Sequence, residues 1–557
     1  MSETISITYD KAQVQATRLG ISLVDLLAEL PPRQPQPVAA VVNGVIQELD
    51  YRLYTDSTIK WLDYNSSSGH RIYRRSVILM MLAAVAELFA ERKLWVSHSL
   101  DNGLFCRLEY EEPLSAADIA RLEQRMHELA AADLPIKRSQ VSREDGANFF
   151  LAQNKVEKAQ LILGRQSNTL NLYSFETAKT SITEYFFGRL TNRSGLLTEF
   201  SLQPFDDGFV LRLPARSFTG QSNADFCQPR RIQAARNQHR DWVNLLGLST
   251  AGDLNKVIDQ GDFSELVLIA ETLQEHMLYQ ISTDLVKQYP DVRLVLIAGP
   301  SSAGKTTFTE RLGIQLRTLG IRPLTISMDN YFVDRAKTPL DEFGKPDFEG
   351  VAALDLELFN RQLADLIAGK EVNLPRYDFT KGQRDPKTTP CRLAERQVVI
   401  VEGIHALNES LTSSVPQHNK RKIFVSCLTQ LNLDAYSPIA TSDNRLVRRI
   451  IRDMKFRNMS PAWTIDHWES VRRGEHHNIY PYQEAADYFF NSALIYELPV
   501  LRPYIEQELA AITPDLPAYV EARRLLRFIQ YFTPTTCDII PKNSILQEFL
   551  GGSCFDV

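Results

Sequence analysis

The sequence predicts a multidomain α/β protein whose second half contains a doubly wound parallel sheet. Apolar runs of strand length alternate there with segments of helical periodicity, and a glycine-rich turn joins the run "RLVLIA" to the helical segment "KTTFTERLGIQLRTL". In the first half, alternating apolar and polar residues are interspersed with helices, which predicts smaller α+β units. The chain of 557 residues is long enough for about two to four domains.

We expect five regions along the chain: a small mixed unit, an α+β domain, a helical connector, an α/β domain and a helical tail. They cover residues 1–66, 67–228, 229–290, 291–510 and 511–557. In the first region, Asn43-Gly44 predicts a tight hairpin turn. The most apolar run, from Ser76 to Ala86, is well short of the roughly 20 residues that a membrane span needs, so it predicts a buried core helix.

The composition argues against several classes of protein. Apolar residues make up 44% and charged residues 23%, as in folded chains rather than disordered or fibrous ones. A net charge of -6 argues against nucleic-acid binding through bulk charge. The six cysteines are widely spaced without a C-x-x-C pair, which is typical of reduced thiols. Because the polar N-terminus shows no secretory signal, we expect a cytoplasmic protein that does not contact a membrane.

A phosphate-binding loop is the strongest motif, with the pattern G-x-x-x-x-G-K-T between a buried strand and a helix. Its glycines let backbone N–H groups approach phosphate oxygens, and the helix N-terminus adds its dipole. Lys305 would reach the terminal phosphates, and the Thr306 hydroxyl would serve Mg²⁺. The predicted ATP-binding residues are Gly299, Pro300, Ser301, Ser302, Ala303, Gly304, Lys305, Thr306 and Thr307.

Two carboxylates follow later strands of the same predicted sheet. Asp329 comes just after the strand "RPLTIS", at an edge where it could orient or deprotonate an attacking hydroxyl and help to hold Mg²⁺. Glu402 ends the buried strand "QVVIVEG", as a metal-side carboxylate of the Walker-B type does. The alternatives are an Asx-turn at Asp329 and an ordinary acidic strand end at Glu402.

Arginines form one face of the helical segment "SDNRLVRRIIRDMKFR". Arg445, Arg448, Arg449 and Arg452 fall at i, i+3, i+4 and i+7, with apolar residues on the opposite face. With few acids nearby these charges would repel one another, and a bound anion would relieve the repulsion. We therefore predict a lid over the nucleotide phosphates, with a solvated basic face as the alternative. The residues that could extend it are Arg457, Arg472 and Arg473.

Residues 292 to about 500 resemble the uridine kinase and phosphoribulokinase branch of P-loop kinases, through "GPSSAGKTTF", "SMDNYF", "LPRYDF", "VIVEGIHAL" and "RLVRRIIRD". The resemblance implies a doubly wound parallel sheet with a helical lid, and ATP and Mg²⁺ as cofactors. It implies catalysis by Asp329, the base toward the acceptor hydroxyl, and Lys305, with Thr306, Asp329 and Glu402 on the metal. The residues expected at the acceptor are Tyr331, Tyr377, Phe379 and Arg384.

The chain departs from that family on the acceptor side. Uridine kinases usually carry a histidine three residues after the "YDF" phenylalanine, where this chain has Gly382. They also usually read "DHPDA" where this chain reads "EGVAA", so that Ala352 replaces an aspartate. A nucleoside is the expected acceptor, and a sugar, sugar phosphate or hydroxy amino acid is the alternative. The residues that could supply substitute contacts are Asp347, Glu349, Lys381 and Arg384.

The first half carries a second resemblance. "VVNGVIQELDYRLYTDSTIKWLDYNSSSGHRIYRRS" is similar to the TGS domain of threonyl-tRNA synthetase running into its second additional domain, and "SLDNGLFCRLEYEEPLSAADIARLEQRMHEL" continues the match. This implies a β-grasp domain followed by an α+β domain. The editing pair H-x-x-x-H of the synthetase is replaced by Arg75 and Leu79, so we do not expect editing. We interpret the remaining histidines as surface or core residues: His70, His98 and His127.

These observations favour an ATP-dependent kinase that phosphorylates a small-molecule hydroxyl, and we expect it to form a homo-oligomer. The alternative is a nucleotide-driven regulator whose TGS-like module engages RNA or the translation machinery. A guanine-selecting N-K-x-D would support that alternative, but none of the Asn-Lys pairs, at positions 154, 255 and 419, has Asp two residues on. The acidic pI, near 6.0, also weakens the case for RNA binding.

Overall fold

The computed structural model describes residues 4–9, 13–100, 103–109, 113–214, 229–340, 344, 346–347, 350–378, 381–429, 431–536 and 538–556. Phe379 and Glu349, both proposed from the sequence as acceptor contacts, lie outside these residues. Within the described ranges, no helix combines the length and the apolar character needed to cross a membrane.

A five-stranded mixed sheet comes first, in the order β2-β1-β5-β3-β4. Its elements are β1 (Thr4–Tyr9), β2 (Gln13–Arg18), α1 (Leu23–Glu29), β3 (Ala39–Val42), β4 (Val45–Gln47) and β5 (Ser57–Leu62). The predicted hairpin turn is confirmed, since Asn43 and Gly44 have φ angles of 49° and 80° and join β3 to β4. The central pair, β1 and β5, is parallel, and the outer pairs are antiparallel, as in a β-grasp domain.

Two antiparallel sheets follow, in the orders β10-β9-β8 and β11-β12-β7-β6. The elements are α2 (Ser67–Leu88), β6 (Lys93–Leu100), β7 (Gly103–Glu109), α3 (Ala116–Ala131), β8 (Ile136–Ser142), α4 (Arg143–Leu151), α5 (Val156–Leu163), β9 (Thr169–Glu176), β10 (Ser181–Tyr185), β11 (Ser201–Phe205) and β12 (Gly208–Arg212). The predicted core helix is α2, whose apolar run is buried in one cluster with residues of all three sheets.

Three helices then lead to a five-stranded parallel sheet in the order β14-β19-β13-β20-β23. The helices are α6 (Arg230–Leu245), α7 (Ala251–Gln260) and α8 (Phe263–Lys287). The strands are β13 (Leu294–Ala298), β14 (Arg322–Ser327), β19 (Gln397–Glu402), β20 (Lys420–Ser426) and β23 (Tyr488–Asn491). Short hairpin strands are β15 (Glu371–Leu374), β16 (Tyr377–Asp378), β17 (Gln383–Arg384), β18 (Thr389–Arg392), β21 (Asn432–Asp434) and β22 (Ser437–Pro438).

Helices cover both faces of the parallel sheet, as predicted. The helices that follow β13 are α9 (Lys305–Thr318), α10 (Leu356–Ile367), α11 (Thr441–Arg457), α12 (Pro461–Asn478), α13 (Glu497–Ala510), α14 (Tyr519–Ile529) and α15 (Gln547–Leu550). Successive residues of a strand point to opposite faces. Leu294 and Leu296 of β13 therefore pack with α10, whereas Val295 and Ile297 pack with α8 and α9.

The C-terminal segment, expected as a helical tail, packs into the preceding region. Helix α14 contributes Leu525 and Ile529 to the core cluster that holds α11 and α13. Further on, Ile545 and Phe549 join the cluster of Phe308 on α9. Ile545 and Phe549 therefore lie beside the segment that follows the glycine-rich turn.

A buried ion pair joins the α+β region to the parallel-sheet region. Lys158 on α5 contacts Glu184 on β10, and its ammonium lies 2.8 Å from the Asp434 carboxylate on β21. Only 5% of the Lys158 side chain is exposed. Burial alone would lower the pKa of Lys158, but the two carboxylates outweigh burial and raise it.

We expect Lys158→Ala to destabilise the protein by about 3–5 kcal/mol, because it leaves the buried Asp434 carboxylate without its cation and leaves Glu184 with Lys155 alone. Denaturant unfolding followed by circular dichroism measures this loss. The matched control is Lys137→Ala, because Lys137 pairs with Glu176 at a site where both side chains are more than half exposed. Equal, small effects of the two substitutions would contradict the role assigned to Lys158.

Candidate active site

The glycine-rich turn between β13 and α9 is shaped by its close contact with a neighbouring strand. A Cβ atom on Gly299 would lie 2.0 Å from the Val425 carbonyl oxygen, so that a side chain does not fit there. Ser302 and Gly304 have φ angles of 57° and 80°, which turn the chain into the first residue of α9. The first turn of α9 therefore carries backbone N–H groups that have no partner within the helix and can bind an anion.

Strand register brings Glu402 to the start of this helix. Glu402 lies opposite Ile297 of β13 and Ser327 of β14. The Thr306 hydroxyl donates to Glu402 Oε1 at 3.5 Å, while the buried Oε2 has no hydrogen-bond partner within the described part of the chain. Burial raises the pKa of Glu402 to about 7; Lys305 opposes this rise, and Asp329 and Glu548 add to it.

Asp329 lies in a short 3₁₀ turn, Met328–Tyr331, directly after β14. Its carboxylate is accessible to solvent and accepts no hydrogen bond from the residues that the structure describes. The surrounding protein displaces water and raises the pKa of Asp329, and the positive charges of Lys305 and Arg457 partly offset this effect. A carboxylate that has no other partner and lies in this electrostatic field is suited to accept a proton.

Three oxygen-bearing side chains fit a hard divalent cation at this edge of the sheet: Thr306, Glu402 and Asp329. The unpartnered, buried Oε2 of Glu402 is the observation that favours a cation here. Across the described ranges, no group of three or more His, Cys, Asp or Glu side chains forms a complete metal cage. Mg²⁺ is typically bound in proteins through one or two carboxylates together with phosphate oxygens and water.

The expectation that few acids lie near the arginines of α11 was wrong, because two of these arginines are buried in ion pairs. Arg445 donates to Glu475 Oε2 of α12 at 2.7 Å, and Arg448 donates to Glu497 Oε2 of α13 at 2.6 Å. Both guanidinium groups are at most 1% exposed. Their partners follow them by 30 and 49 residues in the chain, so the helical pattern alone did not reveal them.

The other arginines of α11 gather around Asp453, at 3.3 Å from Arg449, 2.9 Å from Arg452 and 3.7 Å from Arg457. Arg449 also donates to the Ser301 hydroxyl at 2.7 Å, which ties the helix to the phosphate loop. Arg457 is about half exposed, and its charge acts on Asp329. The residues proposed to extend this face, Arg472 and Arg473, lie on α12.

On the acceptor side, Tyr331 is a core residue rather than the predicted acceptor contact. Its ring packs edge-on against Phe359 at 5.0 Å, and its hydroxyl donates to Gln362 at 2.8 Å. Tyr377 is also largely buried, with its ring 5.9 Å from Phe332.

Arg384 is bound to protein groups. It donates to the Asp355 carboxylate at 3.0 Å and to the backbone oxygens of Tyr331 and Phe332 at 3.1 and 3.2 Å. These bonds attach the β16–β17 hairpin to the segment that carries Asp329. The acceptor contact expected at Arg384 stays a prediction.

Gly382 cannot be replaced by the usual histidine without local change. Its φ is 67°, and a Cβ atom would lie 2.9 Å from the Arg335 side chain. Ala352 is exposed within the short 3₁₀ turn Val351–Ala353. Of the suggested substitutes, Lys381 pairs with Asp378 at 3.3 Å, and the Asp347 backbone N–H donates to Pro339 at 2.8 Å.

Two carboxylates from distant helices contact the phosphate loop and the start of α9, and neither was predicted. The Ser301 N–H donates to Glu475 at 3.0 Å, and Glu548 accepts from the Thr307 N–H at 3.3 Å and the Thr307 hydroxyl at 2.7 Å. The C-terminal segment also touches Gly304, where an added Cβ atom would lie 2.5 Å from Ile545. No sequence signal marks Glu548, because only the tertiary fold brings α15 to this loop.

His405 is a further unpredicted feature, although it stands in the motif "VEGIHAL". Its ring is buried, and neither nitrogen has a partner within the described ranges. Burial lowers the pKa of His405 to about 4, so the ring is neutral at physiological pH.

His98 and His127, which we interpreted from the sequence as core or surface residues, both make structural contacts. His98 is buried against Gln233 at 3.0 Å, and His127 stacks on Phe200 at 4.3 Å. Leu79 is fully buried in the core, and Arg75 donates to the Arg189 backbone. These contacts confirm the structural interpretation of His98 and His127.

We expect Glu548→Gln to tighten ATP binding roughly tenfold, because it removes a negative charge from the Thr307 donors while keeping a hydrogen-bonding side chain. Isothermal titration calorimetry of the full chain measures the affinity. Glu508→Gln, at an exposed position of α13, is the control for net charge. Unchanged or weaker ATP binding by the Glu548→Gln protein would show that Glu548 does not compete with the nucleotide.

Residues of the first half are similar to threonine–tRNA ligases. The ligase of Desulforamulus reducens is 28% identical over 159 residues, which cover 28% of this chain and 25% of that protein. The ligase of Symbiobacterium thermophilum is 30% identical over 163 residues, or 29% of this chain and 25% of that protein. The chain therefore spans about a quarter of the length of these relatives.

The parallel-sheet region is similar to kinases. A D-glycerate 3-kinase structure from Cryptococcus neoformans has a TM-score of 0.27 and 16% identity, covering 36% of this chain and 87% of that one. A uridine kinase of Ligilactobacillus salivarius is 30% identical over 195 residues, which cover 35% of this chain and 82% of that protein. Residues 294–495 match the family described as "Phosphoribulokinase / Uridine kinase family". Through this region, the chain belongs to the phosphoribulokinase and uridine kinase family.

Proposed function

We propose that this protein transfers the γ-phosphoryl group of ATP to a hydroxyl of a small molecule, with Mg²⁺ as cofactor and a nucleoside as the acceptor. The observation that carries the proposal is the meeting of three elements at one sheet edge. These are the phosphate loop with Lys305, the Thr306–Glu402 pair, and the Asp329 carboxylate, which accepts no hydrogen bond from a described residue.

The phosphate loop would hold the nucleotide. Backbone N–H groups at the start of α9 bind phosphate oxygens, and Lys305 neutralises their charge. The Lys305 ammonium donates to the Pro300 carbonyl at 3.3 Å, a contact weak enough to exchange for phosphate. Bound Mg²⁺, held by Thr306 and Glu402, would neutralise charge on the phosphates.

Asp329 would act as the base. It accepts the proton of the acceptor hydroxyl while that oxygen forms a bond to the γ-phosphorus, and the bond from the γ-phosphorus to the bridging oxygen breaks to release ADP. Lys305 and Arg457, whose charges act on Asp329, offset the negative charge that gathers on the moving group. The chain thereby supplies positioning and charge stabilisation rather than a covalent intermediate.

The nucleoside assignment rests on the similarity to a uridine kinase. The acceptor side of this chain has its own geometry, with Gly382 beside Arg335 and an exposed Ala352. A sugar, a sugar phosphate and a hydroxy amino acid are therefore the competing acceptors.

The test is ADP formation with Mg·ATP and a panel of nucleosides, sugars, sugar phosphates and hydroxy amino acids. ADP should form only with a matching acceptor. Asp329→Asn should lower kcat by about 100-fold to 10,000-fold, because it removes the base, while ATP affinity changes little.

The control is Asp365→Asn, which alters an aspartate of α10 that pairs with Lys370 at 2.8 Å. This variant should retain full activity. ATP hydrolysis that needs no acceptor and survives Asp329→Asn would overturn the kinase assignment and favour a nucleotide-driven regulator that acts through the TGS-like region.

A further inference from the structure

A second site for an anion lies away from the phosphate loop, in a cavity of about 240 Å³ between the α+β region and the parallel-sheet region. It is bounded by α2, the segment after β10, the β21–β22 hairpin and α14. Seven arginines line it, and Asp443 is the one acidic side chain among its described lining residues. The cavity therefore concentrates positive charge within a chain whose net charge is -6.

Three of the arginines have carboxylate partners. Arg71 lies 2.6 Å from Glu521, Arg524 lies 2.8 Å from Asp443, and Arg189 lies 3.2 Å from Glu48. These pairs build the wall of the cavity and hold its helices together. The carboxylates of Glu521, Asp443 and Glu48 are therefore already paired with arginines.

The other four arginines have no carboxylate partner within the described residues. Arg75 donates to the Arg189 carbonyl, Arg165 to the Tyr185 hydroxyl, and Arg527 to the Arg523 carbonyl. Arg74 makes neither a hydrogen bond nor an ion pair with any described residue. Four guanidinium groups around one small space repel one another, and burial increases the cost of each charge.

The direction of the pKa shifts agrees with this geometry. Burial lowers the pKa of Arg74 to about 10 against the attraction of Asp443, and burial with the repulsion of Arg74 and Arg71 lowers the pKa of Arg75 to about 9. Both groups remain charged at physiological pH despite this cost. A bound anion would offset the cost, because the one carboxylate in the described lining, Asp443, is already paired with Arg524.

We propose that this cavity binds a small phosphorylated molecule that carries at least two negative charges. Guanidinium groups present planar pairs of N–H donors that match phosphate oxygens, and four of them exceed what a single carboxylate can neutralise. The aromatic rings of Tyr436, Phe187 and Tyr531, which also line the cavity, offer faces for the uncharged part of the ligand. The volume restricts that part to a small group.

Helix α11 connects the cavity to the phosphate loop. Asp443, in the first turn, lines the cavity and pairs with Arg524. Arg445 and Arg449, in the next two turns, donate to the Ser301 carbonyl and hydroxyl at 2.9 and 2.7 Å. The two anion sites therefore share one rigid element, although they share no residue.

The test uses inorganic pyrophosphate as probe and the full-length Lys305→Ala protein as background, since this substitution removes the cation of the phosphate loop. We expect calorimetry to show about one equivalent of pyrophosphate bound. Adding Arg74→Ala or Arg527→Ala should weaken binding at least tenfold, because each removes a charge without a carboxylate partner. Thermal unfolding checks that these variants remain folded.

Arg523→Ala is the matched control, because Arg523 lies on α14 beside Arg524 but outside the cavity and packs over Tyr519. It should leave pyrophosphate affinity unchanged. The proposal is overturned if the Lys305→Ala protein binds no pyrophosphate at millimolar concentration, or if all three arginine variants bind it equally well. Succinate serves as a dicarboxylate probe, and binding of succinate as tight as that of pyrophosphate would overturn the phosphate assignment.

Discussion

The candidate active site depends on strand β19, which pairs in parallel with β13 on one side and with β14 on the other. These pairings set Glu402 opposite Ile297 of β13 and Ser327 of β14. Ile297 lies two residues before Gly299, and Ser327 lies two residues before Asp329. The phosphate loop, Glu402 and Asp329, to which we assign the roles of phosphate site, metal-side carboxylate and base under the proposed function, therefore meet at one edge, although about 100 residues of sequence separate the loop from Glu402. A shift of one residue in register would turn Glu402 toward the opposite face of the sheet.

Buried ion pairs extend this arrangement beyond the sheet. Arg445 and Arg448 fasten α11 to α12 and α13 through Glu475 and Glu497, and Arg449 fastens it to Ser301. Removing one partner of such a pair leaves a buried charge uncompensated, which is costly. The helix is thus held firmly at its start, whereas its last turn, with Arg457, stays open to solvent beside Asp329.

Local sequence predicted those features whose cause is local. The glycines and the flanking strand and helix predicted the phosphate loop. The residue pair Asn43-Gly44, which adopts positive φ angles, predicted the turn, and the apolar run predicted the burial of α2. The positions of Asp329 and Glu402 at the sheet edge were predicted from their places at the ends of apolar strand segments. In each case the residue type and its immediate neighbours determine the conformation.

Features that depend on distant partners could not be predicted in this way. Arg445 and Arg448 resembled a free basic face because Glu475 and Glu497 lie far along the chain. Tyr331 resembled an acceptor contact because its core partners Phe359 and Gln362 belong to α10. Glu548 carried no signal at all, since only the packing of Ile545 and Phe549 on α9 brings it to the phosphate loop.

The most direct test of the central claim is to follow the γ-phosphorus of ATP by phosphorus NMR during turnover of the full chain with its acceptor. The account predicts that the signal moves into a phosphate monoester of the acceptor at the rate at which ADP appears. Release of the γ-phosphorus as inorganic phosphate, at the same rate with and without acceptor, would contradict it.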